Sequence, residues 1–409
     1  MTLKSNIYGL YIFTFFTYFY LWMPIWVIFL QEKGLSLTSI GILDAVVFFG
    51  IALLEIPSGA IADRFGRKYA LAFGSFIYSM GMLFLAISES ISIIVIGYFL
   101  WHISNTFFSG TNMAFLYDSL KYINREKEYQ KIAGRLRAIT SIALSSGSVI
   151  GAWIAGYSMK TVFFILFVIC LLNTFIALCL VEHKNKQLQQ DPNRKFIDVL
   201  SFSFKFVGKK PIVRNLIFLS SFISSVPFIV IYVMVQPYAQ EKQIPVEILG
   251  FIFVLIQVLG MAGSLTSNKL KDVVNEKHQF TFIPIFMIFC LSLIPLSISY
   301  IGILAFGVLS FMVSAFSLLI NTKINTLINS SERATILSFS SMISAFFVFI
   351  CEPVMLMIYD KMTFLISILF STVIMLFTTV PLGIYVRHQL YGSKLSSEIA
   401  PEETKSEGK

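Results

Sequence analysis

Gly59-Ala60-Ile61-Ala62-Asp63-Arg64-Phe65-Gly66-Arg67-Lys68 gathers Asp63, Arg64, Arg67 and Lys68 into one short stretch of a chain that is only 13% charged and 56% hydrophobic. Soluble domains carry about 25% charged residues, so lipid rather than water is the main solvent here. The flanking runs, Leu37–Ile61 and Tyr69–Ser88, are apolar. Each is as long as a bilayer crossing, which takes about 20 residues. The stretch therefore reads as a tight, positively charged turn at a membrane face, with one helix arriving and another leaving.

The same pattern repeats along all 409 residues. Crossings are predicted at Ile7–Leu30, Leu37–Ile61, Tyr69–Ser88, Ile93–Leu120, Ala138–Met159, Thr161–Val181, Asn215–Gln236, Ile248–Asn268, Gln279–Ser297, Gly302–Thr322, Ala334–Ile358 and Met362–Val386. Gln279–Thr322 is one uncharged stretch, too long for a single crossing, and is divided near Tyr300. The expected fold is an all-α membrane protein with twelve transmembrane helices in two pseudo-symmetric six-helix bundles. With both termini in the cytoplasm, all of the 31 Lys and Arg except Lys33, Lys160, Lys242 and Lys361 fall on the cytoplasmic side. A wrong helix count would scramble that positive-inside asymmetry.

The net charge of +9 thus reports orientation in a lipid bilayer and not a nucleic-acid surface, because no soluble domain exists to carry a basic patch. Ile7–Leu30 is too long for a signal-peptide core and lacks a small-residue cleavage site, so it is read as a first crossing. Cys170, Cys179, Cys290 and Cys351 all lie in apolar runs without a metal-spaced partner and are read as small core hydrophobes.

The longest polar insert divides the crossings six and six. Residues 1–182 form the expected N-terminal bundle, 183–214 a cytoplasmic loop, 215–387 the C-terminal bundle and 388–409 a disordered cytoplasmic tail. Within the loop, Phe196–Val207 is amphipathic and is expected to lie along the membrane surface. Arg137-Ala138-Ile139-Thr140-Ser141 and Arg333-Ala334-Thr335-Ile336-Leu337-Ser338 open the fifth and eleventh crossings alike, a trace of internal repetition.

The opening stretch resembles, at six fixed positions, the signature loop of the major facilitator superfamily, G-x-x-x-D-R-x-G-R-K. Gly59, Asp63, Arg64, Gly66, Arg67 and Lys68 carry the match. The resemblance implies a gating latch. Asp63 would face the N-terminal end of the eleventh helix near Ala334, and Arg67 would pair with an acid at the inner end of the fourth, the place of Asp118. In the second half Gly263 keeps the first glycine, but Ser267 and Leu270 replace the Asp and second Gly, with Lys271 retaining a charge. The latch is therefore expected to be asymmetric.

The fifth crossing carries Gly147, Gly151 and Gly156 and is similar to the glycine row of the drug/proton antiporter branch, with Ala152 in place of its proline. Small residues at this spacing also serve plain helix packing. Thr106 stands where that branch often has an Arg in the fourth crossing, so any proton-handling group must lie elsewhere.

Ionisable groups at a helix centre cost about 2.5–3.5 kcal/mol on insertion scales. This chain keeps Asp44 and Glu55 in the second crossing and Glu352 in the eleventh. At ~100° per residue Asp44 and Glu55 share one helix face, roughly 16 Å apart along the axis. Glu55, one turn before the signature loop, is the favoured coupling acid; Asp44, Glu352 and His102 are the others. Each could instead lock helices together. Trp22, Trp26, Trp101 and Trp153 are read as interface anchors or packing residues.

No nucleophile–base pair, metal cluster or P-loop is found, which argues against an enzyme or primary pump, and no cofactor is expected. The resemblance implies a monomeric, proton-coupled exporter of a small amphipathic compound, cations included, in the cell membrane. The loop also accommodates a metabolite, sugar or siderophore carrier. A ligand-binding sensor without flux is the reading from another class; its mark would be lost signature residues, and these are intact.

Overall fold

The computed structural model describes residues 5–108, 110–182, 205–270, 274–296 and 299–392; side chains are described at all of these except residues 52, 53, 55–64, 296, 299, 300, 330, 331, 334 and 335. Every element among the described residues is helical. The helices before the central loop are α1 (Asn6–Thr17), α2 (Trp26–Glu32), α3 (Leu37–Phe65), α4 (Arg67–Ala86), α5 (Ile91–Phe108), α6 (Thr111–Tyr122), α7 (Tyr129–Ala155) and α8 (Met159–Cys179). After it come α9 (Pro211–Phe228), α10 (Val235–Glu241), α11 (Val246–Thr266), α12 (Glu276–Leu296), α13 (Ser299–Leu327), α14 (Ser330–Lys361) and α15 (Phe364–Tyr391).

Among the described residues, ten helical segments are long and apolar enough to cross a membrane. The α1–α2 pair and α3 supply the other two of twelve. The division near Tyr300 holds, since α12 ends at Leu296 and α13 begins at Ser299. Large apolar side chains such as Leu265 (74% exposed) and Phe377 (73%) face outward, a surface that only lipid covers at no cost. The Phe196–Val207 surface segment, apart from its last three residues, and residues 393–409 of the tail lie outside the described residues.

Two compact units are seen. One gathers Met1–Phe196, Tyr232–Val258 and Phe349–Thr363; the other gathers Ile197–Ile231, Leu259–Val348 and Phe364–Lys409. The second unit is held by close helix approach and hydroxyl bonds. Gly263 lies against the backbone of Phe311, and Gly383 against the carbonyl of Phe280. Ser225 Oγ donates to Ser344 O at 2.9 Å, and Ser344 Oγ to Ser221 Oγ at 3.1 Å. Pro227 near the end of α9 leads into a π-helical segment, Ile229–Met234, the kind of irregularity a missing N–H promotes.

The first unit corrects two predicted crossings. Ile7–Leu30 is not one helix but α1 and α2, with a non-helical link between Thr17 and Trp26. Pro24 favours it, since it lacks an N–H and its ring would strike the carbonyl four residues back in a regular helix. The link closes on itself through short bonds, Tyr20 N to Tyr18 O (2.9 Å), Leu21 N to Phe19 O (3.0 Å) and Ile25 N to Trp22 O (3.0 Å). Gln236 meets what remains. Its Oε1 accepts from Val27 N at 2.9 Å and its Nε2 donates to Met23 O at 3.1 Å. Ile93–Leu120 likewise divides into α5 and α6 at Gly110, whose φ of +72° suits only glycine.

The glycine row of α7 is shaped to this link. A Cβ on Gly147 would stand 2.8 Å from Tyr20 N, and one on Gly151 would enter the backbone of Leu21. Gly156 instead meets the Glu247 side chain. Of the cysteines, Cys170 and Cys290 are buried as expected, whereas Cys179 is exposed at the end of α8, where a small apolar group faces lipid as readily as a core.

Gly151→Ala should therefore lower the thermal-unfolding midpoint of the purified protein, by the equivalent of about 1–3 kcal/mol of overpacking. Gly134→Ala, whose added Cβ meets nothing within 4 Å, should leave the midpoint unchanged or raise it slightly. Equal midpoints for the two variants would show that α7 does not need the close approach.

Candidate functional site: a charged latch and a buried acid pair

Gly66 ends α3 and starts α4. Its φ of +105° is open to glycine and strained for other residues. The first N–H groups of α4 have no helical partner, and a carboxylate supplies one. Glu182, just beyond α8, accepts from Arg67 N at 3.2 Å through Oε1 and from Lys68 N at 2.7 Å through Oε2. An acid here also suits the positive end of the helix dipole. In return, Lys68 Nζ donates to Leu178 O in the last turn of α8 at 3.0 Å. The two helix ends thus satisfy one another.

This cap aims the Arg67 side chain, which makes an ion pair with Asp118 of α6, the predicted partner. Both side chains are largely buried, at 20% and 11% exposure, so the pair keeps more of its Coulomb energy than a surface pair does. Gly59, Asp63, Arg64 and Glu55 have side chains outside the described residues, as do Ala334 and Thr335 at the start of α14. α14 itself begins at Ser330, earlier than predicted.

Nearer the other end of α3, Gly41 packs on the backbone of α14. A Cβ there would stand 2.9 Å from Pro353 Cα. At this crossing Asp44 and Glu352, 3% and 2% exposed, bring their carboxyl groups into direct hydrogen-bonding contact. Tyr98 of α5 donates its hydroxyl to Asp44. Glu352 Oε1 is buried without a partner, as is Nε2 of His102. The His102 ring lies 4.5 Å from Tyr98 and 4.3 Å from Trp101, centroid to centroid. Closer to that same end, Thr38 Oγ1 donates to Asp360 Oδ2 at 2.8 Å, and Tyr359 OH to Glu241 Oε2 at 3.1 Å.

Two carboxylates can only accept. A hydrogen bond between them requires a proton on one. The three ion pairs among the described residues are Arg67–Asp118, Arg125–Glu128 and Lys323–Glu276, so neither acid has a cation beside it in that set. The sequence placed Asp44 with Glu55 on one helix face; the structure joins Asp44 to Glu352 and adds Tyr98.

The link between α1 and α2 presents Tyr18, Tyr20 and Trp22, with ring centroids 5.8 and 4.7 Å apart in succession. Trp22 Nε1 donates to Tyr78 OH at 2.7 Å, and its ring lies 4.2 Å from Trp101. Tyr18 bonds to Asn112, two residues after the Gly110 break. Tyr98, Glu182 and Gln236 were all missed from sequence. For Glu182 a signal existed, an acid at the very end of an apolar run; for Tyr98 and Gln236 none did.

A chain whose helices cross a membrane repeatedly, with a charged turn at one end and acids buried at mid-helix, defines a polytopic transporter rather than an enzyme. The family model of the Major Facilitator Superfamily matches residues 7–351, and the chain belongs to that superfamily of membrane transporters. An uncharacterised transporter of the same type, YxaM of Bacillus subtilis, is 24% identical over 57% of this chain, which spans 58% of that relative's length. Multidrug resistance protein 2 of Bacillus subtilis is 28% identical over 35% of this chain and 34% of its own. A mutant of the nucleoside transporter NupG has the same fold, with a TM-score of 0.75 at 13% identity, covering 95% of this chain and all of that one.

Arg67→Gln and Asp118→Asn should each destabilise the purified protein, and the double variant should lose less than the two losses combined. The coupling should amount to about 0.5–3 kcal/mol, read from unfolding midpoints in detergent. Additive losses would show that the pair contributes nothing as a pair.

Proposed function

We propose that this transporter exports a small amphipathic compound, neutral or cationic, out of the cell in exchange for protons. In this reading both termini and the Arg67–Asp118 latch face the cytoplasm. The halves 1–182 and 215–387 rock about a substrate site near the midplane, and Asp63 joins the latch at α14. The observation that carries the reading is the buried contact of Asp44 with Glu352, which needs a proton and forms no ion pair among the described residues.

The substrate class follows from what the first crossing offers. Tyr18, Tyr20 and Trp22 form an aromatic row in the first crossing, and Thr106 stands where a drug/proton antiporter often has an Arg in the fourth. Aromatic faces attract cations and flat apolar bodies, and without that Arg the proton-handling role falls to another group. The partial likeness to Multidrug resistance protein 2 and the glycine row of α7 support export. The driving force is adequate, at about 2.3 kcal/mol per charge per 100 mV plus roughly 1.4 kcal/mol per pH unit.

Cells expressing the protein should accumulate less of at least one cationic amphipath from a chemically diverse panel than cells without it. A protonophore should abolish the difference, and Asp63→Asn should abolish it at unchanged membrane expression. A panel-wide absence of effect, or an effect that survives the protonophore, would overturn proton-coupled export.

A further inference from the structure

α3 and α14 come from distant parts of the chain, yet they meet closely enough that a single methyl group on Gly41 would crowd Pro353. One turn along α3 from that contact lies Asp44, and beside Pro353 lies Glu352. The groups facing the two acids are known from each helix packed there: Asp44 from α3, Glu352 from α14, and Tyr98 with His102 from α5. Trp26 of α2, 6.1 Å from the Tyr98 ring, adds no titrating group. Tyr98 already gives its only hydroxyl proton to Asp44. The bond between the acids therefore needs a proton from elsewhere, while Glu352 Oε1 stays buried and unpartnered.

We propose that Asp44 and Glu352 form the binding site of one exchangeable proton, whose presence holds α3 to α14 and whose loss parts them at the Thr38–Asp360 end. This rests on the proton-coupled reading above and names its site. With the proton bound, one carboxyl donates to the other and the pair carries a single negative charge. When the proton passes to water, two carboxylates are left in contact in a medium of low dielectric, and their repulsion favours separation. In the orientation proposed above this end faces outside. An exterior supply of protons then closes it, and deprotonation opens it to release or admit from that side. The Thr38–Asp360 and Tyr359–Glu241 bonds are weak exposed contacts that break along with it.

The test uses full-length protein in nanodiscs, with its native cysteines replaced and spin labels at Ser39 and Met362, next to the Thr38–Asp360 contact. Pulsed electron resonance should show one short distance in acid. As the bath is made alkaline, a longer distance should gain several-fold in population. In Asp44→Asn with Glu352→Gln, two amides that bond without a shared proton, the short distance should persist at every pH. An unchanged pH response in that double variant, or no response in the parent, would overturn the proposal. So would opening driven by exchange of choline for sodium at constant pH, which would make the site a cation site.

If the double variant does not insert, infrared difference spectra of the parent read the same group. A protonated-carboxyl band should vanish on alkalinisation and be missing from Glu352→Gln; its persistence there would count against the pair. None of these measurements needs a transported substrate. A pair that responds to pH in a protein that exports nothing would sink the export reading alone and leave this site standing.

Discussion

A backbone N–H or C=O that leaves a helix inside a bilayer finds no water, so another protein group has to meet it. That constraint organises the first half of this chain. The first crossing breaks between Thr17 and Trp26, where Pro24 lacks an N–H, and the break exposes backbone at a depth where each unmet group costs several kcal/mol. Short turns within Tyr18–Ile25 satisfy part of it, and the fully buried Gln236 satisfies Met23 O and Val27 N. Gly147 and Gly151 let α7 lie directly on the link. One break in a crossing thus accounts for a buried amide more than two hundred residues away and for two members of a glycine row.

Charge obeys the same rule at the signature turn. Glu182 caps α4 while Lys68 caps α8, so two helix ends cancel their unsatisfied groups and hold Gly66 in a conformation that only glycine takes easily. Arg67 is thereby fixed by its own backbone before its side chain reaches Asp118. The Arg67–Asp118 pair is a consequence of helix-end chemistry, and Gly66, Arg67 and Lys68 supply what it needs: a glycine for the turn, and cations for a carboxylate and a carbonyl end.

Much of this was legible in the sequence for simple reasons. Bilayer thickness fixes the length of a crossing, so apolar runs and the placement of Lys and Arg give the number of helices. The resemblance of the signature loop to its family implies Arg67 and Asp118 as partners, and the structure pairs them. The breaks at Pro24 and Gly110 were missed because hydropathy sums over a window and is blind to a local loss of helix. Gln236 and Tyr98 were missed for another reason: a lone amide or phenol in an apolar run has no periodic signature, and its partner lies on a different helix.

The acids show where helix periodicity stops being informative. Counting residues along α3 puts Asp44 and Glu55 on one face about 16 Å apart along the axis, a separation at which one acid barely senses the other's proton. The consequential neighbour of Asp44 is Glu352, hundreds of residues on, and contact changes the chemistry because two acids that touch must share a proton. α3 is one continuous helix from Leu37 to Phe65, with Asp44 near one end and the signature turn at the other. A displacement imposed at the acid pair is therefore carried to the turn by a rod and not by a chain of loose contacts. The proposed proton site and the Gly66 turn thus stand on one helix, so that in the proposed cycle a motion begun at the acid pair reaches the turn along it.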